Sequence, residues 1–192
     1  MKKEKSKSLY PDILFHFTNR DALFGILQST FKLSYARERV QGIRTDREFA
    51  VPMVSFCDLK LSELKYHLNK YGTYGIGLTK EWANRQGLNP VMYINRYCPF
   101  TDNFNDSLQS VYQALNSRTD DDNFKGISDN SKKIFDAYRF IKNYEGTLIR
   151  EVETIENFRF ADEREWRYVP PIDEEGIPPF VAKSRITTKD KK

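Results

Sequence analysis

Cysteine and histidine are both scarce in this 192-residue chain, with two of each. Cys57 and Cys98 have no Cys or His at metal-ligand spacing, which argues against a structural zinc site, and so few cysteines fit a reducing compartment. No apolar run approaches the ~20 residues of a membrane span, and the N-terminus lacks the apolar stretch of a signal peptide. The expected location is therefore the cytoplasm. A broad excess of one charge is missing too. The net charge is +4, but residues 1–7 carry four Lys and one Glu, and residues 183–192 carry five Lys/Arg and one Asp. Without those ends the body holds 22 basic and 25 acidic residues. The body thus lacks the cationic stripe of a nucleic-acid-binding domain, and only the flexible basic tails offer a route to nucleic acid. Gly75 and Gly77 complete neither the dinucleotide fingerprint nor a phosphate loop.

What is present suits one domain. Hydrophobic residues make up 39% and aromatics 14% of the chain, enough for a core and too much for wholesale disorder. The expected boundaries are 8–182, with an α+β fold. An apolar run ending at Phe17 predicts a first strand. Thr18 as cap, with Asp21 after it, predicts a helix carrying Ala22, Leu23, Ile26 and Leu27. Residues 36–50 are polar and mixed in charge and predict a surface loop or small helix. Pro52 confines the next strand to Met53–Cys57, at an edge or a start. Leu61, Leu64, Leu68 and Tyr71 recur at helical spacing from a start at Asp58 or Ser62, and Gly72 stops that helix. The strand Tyr74–Leu78 follows, then a helix between a Thr79 cap and Gly87. Asn89-Pro90 predicts a turn and Val91–Asn95 a strand.

Residues 99–147 read as a helical insertion, its second helix over 131–143 with Ile134, Phe135, Tyr138 and Ile141 on one face. Thr147–Val152 predicts a strand. Alternation over Glu163–Val169 puts Glu165, Arg167 and Val169 on one side and Trp166 and Tyr168 on the other.

Few groups here can do chemistry. His16, near the end of the first strand, could bond a ribose or phosphate or act as a base; it could equally bond a neighbouring backbone and order the turn. His67 reads as the flank of a surface helix. Glu163 and Glu165 bracket Arg164. An ionised acid there suits a ribose hydroxyl or a cationic sugar-like transition state, the alternative being an ion-paired rim with Arg159, Arg164 or Arg167. Tyr71 and Tyr74 flank Gly72 and could stack on a ring or simply pack. The glycines at 72, 75 and 77 allow close approach of a ligand or of packed neighbours. Cys57 reads as a buried thiol.

The segments Phe15-His-Phe-Thr18, Ala22–Leu27, Pro52–Asp58, Tyr71–Trp82, Asn89–Tyr93 and Glu163–Arg167 together resemble the AbiGi family of abortive phage-resistance proteins. That resemblance implies a phage-defence role beside a cognate defence or toxin protein, with an antitoxin label. The opening His-Phe-Thr also resembles ADP-ribosyltransferase-like proteins. This second resemblance implies a mixed or antiparallel split sheet with peripheral helices, and NAD as cofactor. By it His16 would bind NAD, with Thr18 beside it, Ser55 would line the middle strand, Tyr71 or Tyr74 would meet nicotinamide, and Glu165, with His16, would carry catalysis. The middle motif lacks a clean Ser-Thr-Ser, and Glu163 and Glu165 stay open as the key acid. The same fold without catalysis, as an antitoxin or protein-binding module, is the alternative.

Overall fold

A computed structural model describes residues 10–116, 131–149 and 154–182. The expected tails at 1–7 and 183–192, and the His67 side chain, lie outside the described residues. The strand β1 (Ile13–Thr18) leads into α1 (Arg20–Gln28), whose cap is Asn19, not Thr18: the Asn19 side chain accepts from the Ala22 N–H at 2.8 Å. Thr18 instead ends β1.

The stretch expected to be a loop is sheet. β2 (Ser34–Gln41) and the twelve-residue β3 (Asp46–Cys57) form an antiparallel hairpin in register from Ser34↔Met53 to Gln41↔Asp46. Its charges masked it. Arg37 pairs across the strands with Glu48 and Arg39 with Asp46, while the alternate positions Glu38 and Val40 are buried. Cross-strand ion pairs on one face with buried side chains on the other are what a two-sided strand allows. Pro52 lies inside β3, not at its edge or start. It faces Tyr35 of β2, between Ala50, which pairs elsewhere, and Val54, where the next partner begins. Its missing N–H therefore falls where β3 has no second strand neighbour.

After a 3-10 turn over Leu61–Glu63, entered at Lys60, α2 (Leu64–Tyr71) ends at Gly72. With φ of 115° and a position where a Cβ would strike the Thr18 carbonyl, only glycine fits there. β4 (Tyr74–Thr79) pairs with β1, and α3 (Lys80–Arg85) is capped by Thr79 as its sequence predicts. β5 (Asn89–Pro90), expected as a turn, pairs with a late strand; β6 (Met92–Ile94) follows. α4 (Pro99–Asn116) and a helix over 131–138, α5, supply the helical part of 99–147. The rest is strand: β7 (Ile141–Asn143) pairs in parallel with β6, and β8 (Gly146–Ile149) with β9 (Thr154–Phe158). The helix forecast over 131–143 thus stops short, and Ile134 is exposed. A 3-10 turn at Phe160–Glu163 leads into β10 (Glu165–Tyr168), and β11 (Val181–Ala182) closes the described chain.

The main sheet runs β4-β1-β3-β10-β5, with β2 and β11 on the first half of β3; every pairing in it is antiparallel. The architecture is mixed α/β, antiparallel sheets with peripheral helices. β3 is its spine. Around its first half, Val40, Phe49, Val51 and Met53 pack with Leu108, Tyr138 and Ile141. Around its second half, Val54 and Phe56 pack with Leu14, Ala83 and Leu88.

The β2–β3 turn is tied to the start of α4. Asp102 accepts from the backbone N–H groups of Arg44 (3.0 Å) and Thr45 (2.9 Å) and from the Thr45 hydroxyl (2.8 Å), with its side chain buried. A Cβ at Gly42 would collide with that carboxylate. Gly42→Ala is expected to lower stability by about 1–3 kcal/mol, the cost of unseating a buried, bonded acceptor. Urea denaturation, with Gly25→Ala as the control at a glycine that has open space and no left-handed φ, measures it.

Candidate functional site

β1, β3 and β10 are neighbours in the sheet, so His16, Ser55 and Glu165 come from adjacent strands. A cavity of about 580 Å³ opens over them, lined by His16, Ser55, Tyr71, Glu163 and Glu165 together with Glu38, Lys142, Phe15 and Phe17, and walled by Gly146–Ile149 of β8. Five candidates from distant parts of the chain are thus brought together. Two are not. Thr18 is at the far end of β1, opposite Tyr74, and neither lines the cavity; Tyr74 is 44% exposed.

The glycines of β4 serve packed neighbours. Gly77 faces Phe15 and Gly75 faces Phe17 across the β1–β4 pair, and a Cβ at Gly75 would sit 2.7 Å from the Phe17 ring. The two rings lie over the bare backbone, stacked at 5.9 Å, and form one wall of the cavity.

His16 is held at Nδ1, 2.8 Å from the Ser55 carbonyl, with its ring packed against both Phe31 and Phe56. A carbonyl only accepts, so Nδ1 carries the proton and Nε2 is left as an acceptor. Burial lowers the pKa of this imidazole below its ordinary 6.5, only partly offset by the Ser55 bond.

Glu165 is the centre of a buried charge network. Its Oε1 accepts from Arg167 Nε (2.6 Å) and Ser55 Oγ (2.9 Å); its Oε2 accepts from Lys142 Nζ (2.9 Å) and Arg167 Nη2 (3.2 Å). Arg167, 0% exposed, also donates to Glu38 at 2.6 Å and to the Arg139 carbonyl at 2.9 Å. Burial opposes ionisation of Glu165, yet Arg167 and Lys142 outweigh it and hold the carboxyl well below the usual carboxylate range. Glu38 goes the other way: burial raises its pKa, with Arg167 and Lys142 offsetting only part. For Lys142, burial is likewise outweighed by Glu165, Glu38 and Glu163, and its ammonium is held charged.

Glu163 is not on the strand as alternation suggested. It ends the 3-10 turn, and Arg164 follows with left-handed φ and ψ of 46° and 51°. Glu163 accepts from the Tyr71 hydroxyl and stands 3.5 Å from Lys142 Nζ. The rim expected for Glu165 is therefore a buried pairing with Arg167, while Arg164 stacks on Tyr10 and bonds Asp58. Tyr93, whose hydroxyl accepts from the Glu165 N–H at 2.9 Å, is pushed up to about 12 by burial.

Lys142, Glu38 and Tyr93 were missed from sequence. Glu38 lay in the supposed loop and Lys142 in the supposed insertion. The one usable signal was the Glu38–Val40 alternation. Cys57 is buried and its thiol is pushed up to about 12 by desolvation, which disfavours the thiolate. No group of His, Cys, Asp and Glu among the described residues could hold a metal ion.

The sequence profile of the family described as "Putative abortive phage resistance protein AbiGi, antitoxin" matches residues 28–192. The chain belongs to the AbiGi family. The match takes in Ser55, Tyr71, Lys142, Glu163 and Glu165 and begins after β1, so His16 lies outside it. A curated relative, the "Abortive phage resistance protein AbiGi" of Lactococcus lactis subsp. cremoris, is 28% identical over 144 residues, 69% of this chain. The chain spans about half of that relative's length, 56%. No solved structure matches. No helix among the described residues is long and apolar enough to cross a membrane.

Two outcomes are expected here. Arg167→Met strips the counter-charge from Glu165 and Glu38, and should cost about 3–5 kcal/mol in chemical denaturation. For His16, the unfolded state gains a proton below about pH 6.5 while the folded state stays neutral, so stability should fall as pH drops from 7 through 6.5 toward the lowered folded pKa. His16→Gln should flatten that part of the stability–pH curve relative to wild type.

Proposed function

We propose that this AbiGi-family protein acts in abortive infection by taking NAD into the cavity over β1, β3 and β10 and breaking the bond between nicotinamide and ribose, with an ADP-ribosyltransferase-like arrangement of its sheet. The observation that carries the reading is the convergence of His16, Ser55, Tyr71, Glu163 and Glu165 on one cavity of about 580 Å³, a size within the range of small-molecule and cofactor sites. In the reaction the bond from the ribose C1′ to the pyridinium nitrogen breaks and its electron pair leaves with neutral nicotinamide. The ribosyl cation is then captured by an acceptor on protein, nucleic acid or water, which releases a proton. Neutral His16 lines the cavity beside Phe56, and its unprotonated Nε2 would accept from a ribose hydroxyl, while Tyr71, bonded to Glu163, stands where a ring could lie. Ionised carboxylates in a partly dry site favour the developing positive charge. Incubation with NAD labelled in the nicotinamide ring should release nicotinamide, and His16→Ala should cut the rate by tenfold or more. No release by wild type across protein, nucleic-acid and water acceptors removes the reading.

A second reading is favoured by a different observation. All the acceptor positions of Glu165 are filled by Ser55, Lys142 and Arg167, which suits a cleft kept as architecture in a non-catalytic antitoxin that binds a cognate toxin. Under it, wild type releases no nicotinamide but co-purifies with and neutralises the partner defence protein.

A further inference from the structure

The two glutamates that bracket Arg164 meet at one ammonium. Lys142 Nζ lies 2.9 Å from Glu165 Oε2 and 3.5 Å from Glu163 Oε2. Both acids are buried to the same degree, with side chains 8% exposed, and both line the cavity over the sheet; they differ in how fully their neighbours engage them. A carboxylate offers about four lone-pair positions, and Glu165 has all four engaged by neighbours that are themselves buried or nearly so. Bonding a ligand would oblige it to release Arg167 or Lys142 into a dry interior, where an unpaired cation is costly.

Glu163 has one short bond, from Tyr71, and one long contact, to Lys142. It also lines two cavities at once: the one over the sheet, and a neighbouring one of about 710 Å³ bounded by Tyr10, Phe158 and Arg159. Its unfilled acceptor positions thus adjoin open volume. The left-handed turn at Arg164 breaks the strand between the two acids, so Glu163 stands off the strand while Glu165 stays in it.

We infer that Glu163 is the carboxylate that meets the ligand, accepting from a sugar hydroxyl or facing a developing positive charge, and that Glu165 is a positioning residue fixed between Arg167 and Lys142. Tyr71 orients Glu163, and Lys142 holds the two acids at a set separation. This rests on the proposal that the cavity takes NAD, but the difference in availability between the acids can be read without it.

Two measurements on the full chain test it. The first couples carboxyl groups of the native protein with a water-soluble carbodiimide and an amine, and locates the adducts by mass spectrometry. Glu163 should label well above Glu165, and Tyr71→Phe should change the labelling of Glu163 alone. Equal labelling, or labelling of Glu165 in preference, overturns the inference whether or not NAD is a ligand. The second compares Glu163→Gln and Glu165→Gln. Glu163→Gln should melt within a few degrees of wild type and lose at least a hundredfold in nicotinamide release, while Glu165→Gln should melt markedly lower. A folded Glu163→Gln variant with wild-type release overturns the inference. Absence of release by wild type, with the labelling contrast intact, removes NAD cleavage and leaves the assignment of Glu163 as the less engaged acid standing.

Discussion

A guanidinium with no exposed surface has to be enclosed by acceptors in the closed sheet around it. Arg167 is that group. Its donors reach Glu38 on β2, Glu165 on its own strand and the Arg139 carbonyl between α5 and β7. Moving an isolated charge of this kind out of water costs several kcal/mol even after relaxation, so the docked β10 depends on the hairpin and the end of α5 for its acceptors. One side chain thereby couples three stretches far apart in sequence. It also explains the double role of β3: the first half carries the hairpin that supplies Glu38, and the second half pairs with the strand that carries Arg167.

The enclosure decides what the cavity can present. With Glu165 turned inward to Arg167 and Lys142, the floor is a set of bonded charges, held in place by neighbours and not by solvent. His16 is fixed in the same manner through the Ser55 carbonyl, and Ser55 in turn donates to Glu165. The histidine and the acid are therefore mechanically linked through one residue of β3. A site so tied loses little by reorganising when a ligand arrives, which is the condition for preorganised electrostatics. It is equally the condition for a rigid recognition surface, and this is why both functional readings draw on the same atoms.

Part of this was legible in the chain and part was not, for identifiable reasons. Alternation over Glu165–Tyr168 put Glu165 and Arg167 on one side and Trp166 and Tyr168 on the other, and the structure keeps that division, because a strand covered on both sides still obeys its two-residue period. The helix stops at Gly72 and Gly87 were readable because backbone conformation demands glycine there. The β2–β3 hairpin was hidden because its outer face is charged and its inner face includes Glu38, so hydrophobic periodicity was diluted from both sides. Lys142 was hidden for a related reason. Its strand has three residues, too short to declare itself beside the helices of 99–147. A residue whose value lies in neutralising two distant acids leaves no local pattern.

The opposed shifts of Glu38 and Glu165 follow from the same arithmetic of charge. Three carboxylates, Glu38, Glu163 and Glu165, share two cations, Lys142 and Arg167, in a region of low dielectric. Such a set does not ionise evenly. The acid in direct contact with both cations is driven toward the charged form, and Glu38, bonded to Arg167, is driven by burial toward the neutral one. Arg167 bonds both acids at 2.6 Å, and its second donor to Glu165 makes that pairing the more extensive one. The commitment of Glu165 in turn draws Lys142 toward it, to 2.9 Å against 3.5 Å for Glu163. Charge balance inside the sheet, set by residues that never touch a ligand, is thus what leaves the Glu163 carboxylate the less engaged of the two at the edge of the cavity.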